Sequence, residues 1–344
     1  MSTAAVDPVA LVDIDRLTGY LRTVVELTDP VTVEVLSGGR SNLTYLACSG
    51  SSEYVLRRRP LGPVAPGAHD MAREYRVQLA LQRSGVPLAH VYGYSEDESI
   101  MGAPFYVMSR VHGHVFHQRA DVAGLTAEEA GRISEATVEV LHKIHSVDAS
   151  AVGLGDLGRP EGFVARRISR WLEQWRRSEH RDHALVEPIG DLLASQVPLE
   201  ADSTLVHGDY RLGNMIVHPG AANPVAAVLD WEMSTRGDPL TDLAHLLVYW
   251  DRTKGRLTHE SQTIAEHPGF LGPAALAGRY AELSGRDIGP LPFYLAFEHW
   301  RAAIIKEGIY TRTRTYATGD ADSEDIGDTV ALHLEEAAAV LEMT

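Results

Sequence analysis

Asp209, Asn214 and Asp230 are the residues whose types and spacing could do chemistry. They lie in the stretch 205–232, which reads LVHGDYRLGNMIVHPGAANPVAAVLDWE. Residues 215–218 and 225–229 are short apolar runs joined by a polar Pro/Gly/Asn segment, the pattern of two strands and a turn. In an antiparallel hairpin the residue entering the first strand lies opposite the residue leaving the second. Asn214 and Asp230 are therefore expected side by side, with Asp209 on the loop just before them. A carboxylate and an amide carbonyl brought together make a hard-oxygen site suited to Mg²⁺, which a phosphate would complete. Asp209 is then free to act as a base.

Elements able to position these groups are legible along the chain. Residues 8–27 carry an amphipathic helical pattern through Val9, Leu11, Val12, Leu17 and Leu21. Strand-like runs follow at 31–36, 43–48 and 54–59, with Ser37-Gly38-Gly39-Arg40-Ser41-Asn42 turning between the first two. Residues 61–68 hold two prolines and two glycines and read as a flexible loop. A helix is expected over 69–83, and further strands near 90–94 and 104–110. The pattern then turns helical. Ala127–His145 is strongly periodic, with Thr126 and Glu129 spaced as a capping box. Phe163–Arg177 is basic, and 242–249, 292–310 and 328–341 follow, with a polar acidic loop at 316–325. A β-rich first third ahead of a helical remainder predicts an α+β, bilobal kinase-like fold. Its N-terminal lobe, a small antiparallel β-sheet, takes residues 1–108. A hinge follows at 109–113, and the helical lobe at 114–344 carries the catalytic loop and acceptor site.

Composition sets the bounds. The 344 residues allow one large domain or two packed ones, and 44% apolar content is ample for a core. The single cysteine, Cys48, excludes an intrachain disulfide and suits a reducing cytoplasm. The first residues lack a basic n-region, so no signal peptide is expected, and no apolar run approaches a membrane span. The formal charge of −16 argues against a nucleic-acid partner. It suits a cationic substrate or, more simply, a solvated acidic surface.

The five-position step from Asp209 to Asn214 matches the kinase catalytic loop. The segments S-G-G-R-S-N-L-T-Y, Y-V-L-R-R-R-P, A-H-D-M-A-R-E-Y-R, H-G-D-Y-R-L-G-N-M and L-D-W-E-M-S-T-R-G-D-P-L-T-D-L-A occur in order across the chain. They resemble the aminoglycoside phosphotransferase and choline kinase family, in the subgroup related to the kinase domain fused to some acyl-CoA dehydrogenases. The resemblance implies an ATP- and Mg²⁺-dependent phosphotransferase acting on a small-molecule hydroxyl, with GTP possible as donor. It implies a hydroxyacyl-CoA-type or aminoglycoside-like acceptor. It makes Asp209 the base and Asn214 and Asp230 the Mg²⁺ ligands. Arg57 stands where such kinases place a lysine, with Glu74 as its helix partner; Arg59, on the same strand face, is the alternative. Ser41 and Asn42 are expected at the phosphates. Val55 is expected against the adenine, with backbone groups from Ser109 to Val111 at its edge and Met108 behind. His207 is expected to support the loop, Asp238 to cap the next helix and Asp242 to brace the loop. Glu232 stands either behind the metal or at the substrate.

Two other readings remain at this level: a nucleotide-binding pseudokinase, motivated by Arg57, and a metal-dependent hydrolase using His207, Asp209, His218 and Asp230. His112, His114 and His117 form a zinc-like cluster without a third fixed ligand or a cysteine. His142 and His145 read as the charged end of a helix. Phe293, Tyr294, Phe297, Trp300 and Ile304 read as core, with Glu298 and Arg301 on a polar edge that could border the acceptor.

Overall fold

The computed structural model describes residues 11–37, 42–60, 70–178, 180–199, 202–250, 267–315 and 322–342. Contacts divide the chain into two compact units, residues 1–112 with 226–234 and residues 113–225 with 235–344.

The first unit is built on an antiparallel sheet. Its strands run in the spatial order β1 (Thr32–Ser37), β2 (Leu43–Ser49), β3 (Ser52–Arg58), β5 (Phe105–Ser109) and β4 (Val91–Ser95). Helix α1 (Ile14–Val24) starts where the Asp13 carboxylate accepts the Arg16 N–H, and α2 (Met71–Leu81) where Asp70 accepts that of Arg73. Side chains alternate along β3. Tyr54 and Leu56 enter a core with Leu17 and Leu21 of α1, whereas Val55 enters a second core with Met71 of α2, Tyr106 and Met108. Arg57, two residues after Val55, faces α2. A short helix, α3 (Glu98–Met101), precedes β5.

The second unit is mainly helical. It contains α4 (Arg119–Val122), α5 (Ala127–His145), α6 (Phe163–Arg177), α7 (Val186–Ser195), α8 (Leu240–Trp250), α9 (Pro273–Ser284), α10 (Leu291–Thr315) and α11 (Asp322–Glu342). The capping box of α5 is complete: Thr126 Oγ1 accepts the Glu129 N–H and Glu129 Oε2 accepts the Thr126 N–H. Phe293, Tyr294, Phe297, Trp300 and Ile304 of α10 are buried, as expected of core. Strands β6 (Thr204–Val206) and β9 (Thr235–Gly237) pair antiparallel within this unit, and the hairpin of β7 (Met215–Val217) and β8 (Val225–Val228) runs from it into residues 226–228 of the first. His218 N–H closes its turn on the Pro224 carbonyl at 2.8 Å.

Several boundaries differ from expectation. Helix α1 begins at Ile14 because Asp13 is its cap. Helix α11 begins at Asp322, so the expected loop at 316–325 is partly helix, its first six residues lying outside the described ones. The Gly-rich turn at 38–41, the loop at 61–68 and His69 also lie outside. Helices α7 and α9 went unread because Pro188 and Gly190 interrupt one pattern and Gly278 the other.

Candidate active site

In the first unit Arg57 is clamped between two carboxylates. Its Nε donates to Glu74 Oε2 at 3.2 Å and its Nη2 to Asp230 Oδ1 at 2.8 Å. Glu74 is 1% exposed, Arg57 16% and Asp230 31%. Burial pushes the Glu74 carboxyl up to about 7, even though Arg57 pulls the other way. Burial would lower Arg57, but Glu74, Tyr106 and Asp230 hold it above its ordinary value. Of the two candidate cations, Arg57 makes the pair with the helix. Arg59 pairs instead with Glu98 at 3.2 Å.

Asp230 adopts φ +65°, the one non-glycine residue with positive φ among the described residues. Aspartate tolerates that conformation, and residues held there concentrate at functional sites. The short 3₁₀ turn that follows, Trp231–Met233, is anchored by buried Trp231, whose Nε1 donates to the Val228 carbonyl. The turn also presents Glu232, whose Oε2 accepts from Asn42 Nδ2 at 3.2 Å. Asn42 is thus fixed by Glu232, and Ser41 lies outside the described residues.

Val55, Met108 and Val111 share one apolar cluster with Val91 and Ala89, a wall able to meet a planar base. At the edge of that wall Ser109 is tied to His90. Its N–H donates to the His90 carbonyl and its Oγ accepts the His90 N–H, at 2.7 and 2.9 Å. The N–H of Ser109 is thereby committed to β-structure and is no donor to a ligand.

In the second unit the loop after β6 turns at Gly208, φ +88°, where the left-handed region favours glycine. Asp242 of α8 holds this loop: its carboxylate accepts the His207 N–H at 2.6 Å and the Gly208 N–H at 2.8 Å. Burial would raise the Asp242 carboxyl, but His145 and the loop N–H groups keep it below the ordinary range. Asp238 caps α8 by accepting the Leu240 N–H and also accepts from the Tyr294 hydroxyl. His207 is buried, and its Nδ1 accepts the Asp209 N–H at 3.3 Å.

Asp209 follows with both carboxylate oxygens engaged. Oδ2 accepts from Asn214 Nδ2 at 2.7 Å, and Oδ1 lies 2.8 Å from His245 Nε2 and 3.5 Å from Arg211 Nε. Asn214 Nδ2 also reaches the Asp209 carbonyl at 2.9 Å. Burial alone would favour the acid form of Asp209, but the His245 hydrogen bond and charge and then Arg211 hold it well below the carboxylate range. It remains 31% exposed, so an ionised, oriented oxygen can meet a ligand.

His245 and Arg211 were not singled out by the sequence reading. The available signal was the helical i, i+3 spacing of Asp242 and His245, which places both on one face. Glu298 and Arg301 are buried rather than a polar edge. They form an ion pair at 2.6 Å, and both reach His245 Nδ1. His145 is likewise internal, bonded to Asp242 and the Tyr280 hydroxyl. His112 pairs with Glu53 at 3.1 Å. Among the described residues no group of three or more His, Cys, Asp and Glu gathers as a metal cluster.

Each expected magnesium ligand, taken within its own unit, has an oxygen left to donate. With its amide nitrogen on Asp209, Asn214 has its Oδ1 left to donate, and Asp230 keeps the oxygen that Arg57 does not hold. No described helix is long and apolar enough to cross a membrane.

The phosphotransferase enzyme family's sequence model matches residues 32–280. Acyl-CoA dehydrogenase family member 11 of Mus musculus is 36% identical over 301 residues, covering 86% of this chain and 38% of that protein. The chain thus spans about two fifths of the length of such relatives. A crystal structure from Ralstonia eutropha JMP134, named for the aminoglycoside phosphotransferases, superposes with TM-score 0.82 at 33% identity, covering 96% of this chain and 98% of that one. A ternary complex of aminoglycoside phosphotransferase APH(4)-Ia with ADP and hygromycin B superposes with TM-score 0.61 at 18% identity, covering 96% and 98%, and shows the same kinase-like fold.

Proposed function

This chain belongs to the phosphotransferase enzyme family, and from that premise we propose that it moves the γ-phosphate of ATP to a hydroxyl of a small molecule. The observation that carries the reading is Asp209, an ionised carboxylate oriented at both oxygens yet still partly exposed.

Phosphoryl transfer needs little covalent help, so the protein's work is positioning and charge. Asp209 accepts the acceptor's hydroxyl proton as the new O–P bond forms and the bond to the leaving diphosphate breaks, releasing ADP. Arg57, fixed by Glu74, lies against the phosphates and offsets their charge. Val55, Met108 and Val111 supply the apolar wall for the base, with Asn42 at the phosphates. Asn214 and Asp230 would hold Mg²⁺, which when bound supplies charge neutralisation at the phosphate oxygens.

Two acceptor classes follow from the relatives. One carries the acyl-CoA dehydrogenase name, which supports a hydroxyacyl-CoA-type alcohol. Structural neighbours are complexes with hygromycin B and kanamycin, which supports an aminoglycoside. The latter complex contains GDP, so GTP belongs in any donor test. A screen of hydroxyacyl-CoAs, aminoglycosides and amino alcohols, read by ADP release and product mass, tests the proposal. A product heavier by one phosphoryl group supports it. MgATP-dependent thermal stabilisation with no phosphorylated product from any acceptor would favour the second reading, a pseudokinase, which the Arg57 substitution motivates.

A further inference from the structure

Helix α8 grips three consecutive residues of the loop that carries Asp209. Asp242 takes the backbone N–H groups of His207 and Gly208, and His245, one helical turn on, meets the Asp209 carboxylate itself. His245 is 3% exposed. Its two ring nitrogens face different chemistry. Nε2 lies 2.8 Å from Asp209 Oδ1, an oxygen that only accepts, so Nε2 carries a hydrogen. Nδ1 lies 2.7 Å from Arg301 Nη2, a donor, and 3.1 Å from Glu298 Oε2, an acceptor.

We propose that His245 is a positioning residue for the base of the transfer reaction, fixing the plane of the Asp209 carboxylate and tuning its basicity through the charge on its ring. The inference rests on the phosphotransferase reading. Neutral His245 accepts from Arg301 at Nδ1, and charged His245 donates from Nδ1 to Glu298. In both states Nε2–H stays on Asp209. With Asn214 on Oδ2, the carboxylate is held from both sides, and its remaining lone pairs point in fixed directions. Orientation is thus independent of pH, while basicity is not. A charged ring favours the bare carboxylate and weakens it as a base; a neutral ring restores it.

The groups that face the ring are Asp209 on the loop, Tyr249 on α8 with ring centroids 4.6 Å apart, and Glu298 and Arg301 on α10. Arg211 lies beside Asp209 and over Tyr249, and Arg167 of α6 acts on Glu298. Burial would lower the His245 pKa, but Asp209 and Glu298 raise it above the ordinary histidine value. The rate should therefore climb as pH rises past that ordinary value.

Two variants and one titration test the inference. His245→Leu removes the donor. His245→Gln keeps an N–H at similar reach but cannot titrate. With wild type active, His245→Leu should lose roughly 10–100-fold in kcat with nucleotide KM unchanged. His245→Gln should recover most of that loss and lack the acid limb of the pH–rate profile. Wild-type kcat and profile in His245→Leu overturn the inference, as does equal loss in both variants with equally lowered melting temperatures. Failure of wild type to phosphorylate any acceptor defeats the phosphotransferase reading instead. The coupling is read without turnover from the His245 imidazole titration by NMR in wild type and Asp209→Asn. A lower midpoint in Asp209→Asn supports it, and an unchanged midpoint overturns it.

Discussion

Arg57 Nη2 lies 2.8 Å from Asp230 Oδ1, so the strand cation reaches across its own unit to an expected metal ligand. The same guanidinium holds Glu74, and the three charges form a row of carboxylate, guanidinium, carboxylate.

Removing Arg57 should therefore separate stability from activity. Arg57→Met leaves Glu74, 1% exposed, without its cation, at a cost of about 1–3 kcal/mol, limited because Glu74 can protonate. Arg57→Met/Glu74→Gln should recover most of the melting temperature. Neither variant should recover kcat/KM for ATP, which falls roughly 100-fold or more. Recovery of activity in the double variant would show that Arg57 is structural only.

Asp242 should matter to stability as much as to rate. Asp242→Ala leaves the His207 and Gly208 N–H groups without their acceptor and leaves His145 with the Tyr280 hydroxyl alone of its two ring partners. Two unsatisfied buried donors cost about 2–5 kcal/mol. Urea unfolding should show a loss of unfolding free energy of that size, and Asp242→Asn should lie between alanine and wild type.

Acid sensitivity follows from the buried carboxylates of the second unit. Burial would raise Glu298, but Arg301 and His245 bring it down to about 2 from an ordinary 4.5. Asp242 is depressed as well. Where the folded pKa is the lower one, the unfolded chain binds more protons on acidification. Stability present at neutral pH is then lost as pH falls from 4.5 toward 2. Denaturant midpoints measured across that window should fall, and Glu298→Gln should flatten the slope.

Gly113 is the first residue of the second unit and has φ +147°. A Cβ there would lie 2.6 Å from Ile216 Cγ2 and 2.8 Å from the Val217 carbonyl oxygen. His114 and Val217 exchange backbone hydrogen bonds at 2.8 and 2.7 Å beside it. Gly113→Ala should destabilise by about 1–3 kcal/mol in a thermal melt. A melt indistinguishable from wild type would show that the backbone relaxes freely there.

What could be read from the residues followed short-range physics. Capping at Thr126 and Glu129, alternation along β3 and the apolar face of α5 are local patterns, and each appears in the structure. The brace from Asp242 and the cap from Asp238 came from the family resemblance rather than from local pattern, since Asp242 meets a loop 35 positions upstream. His245 was legible from neither. Its role depends on the packing of α8 against a loop 36 positions upstream and against α10, 53 positions downstream. Periodicity on one helix carries no information about either partner. Arg57 and Arg59 could not be separated for a similar reason: strand alternation puts both on one face, and only the place of α2 selects Arg57.

The proposed role of Asp209 as the base of phosphoryl transfer is tested by Asp209→Asn. With γ-³²P-labelled ATP and the acceptor found by screening, label transfer should fall roughly 10²–10⁴-fold. Nucleotide affinity and melting temperature should stay near wild type. Label transfer at the wild-type rate in Asp209→Asn would contradict the account.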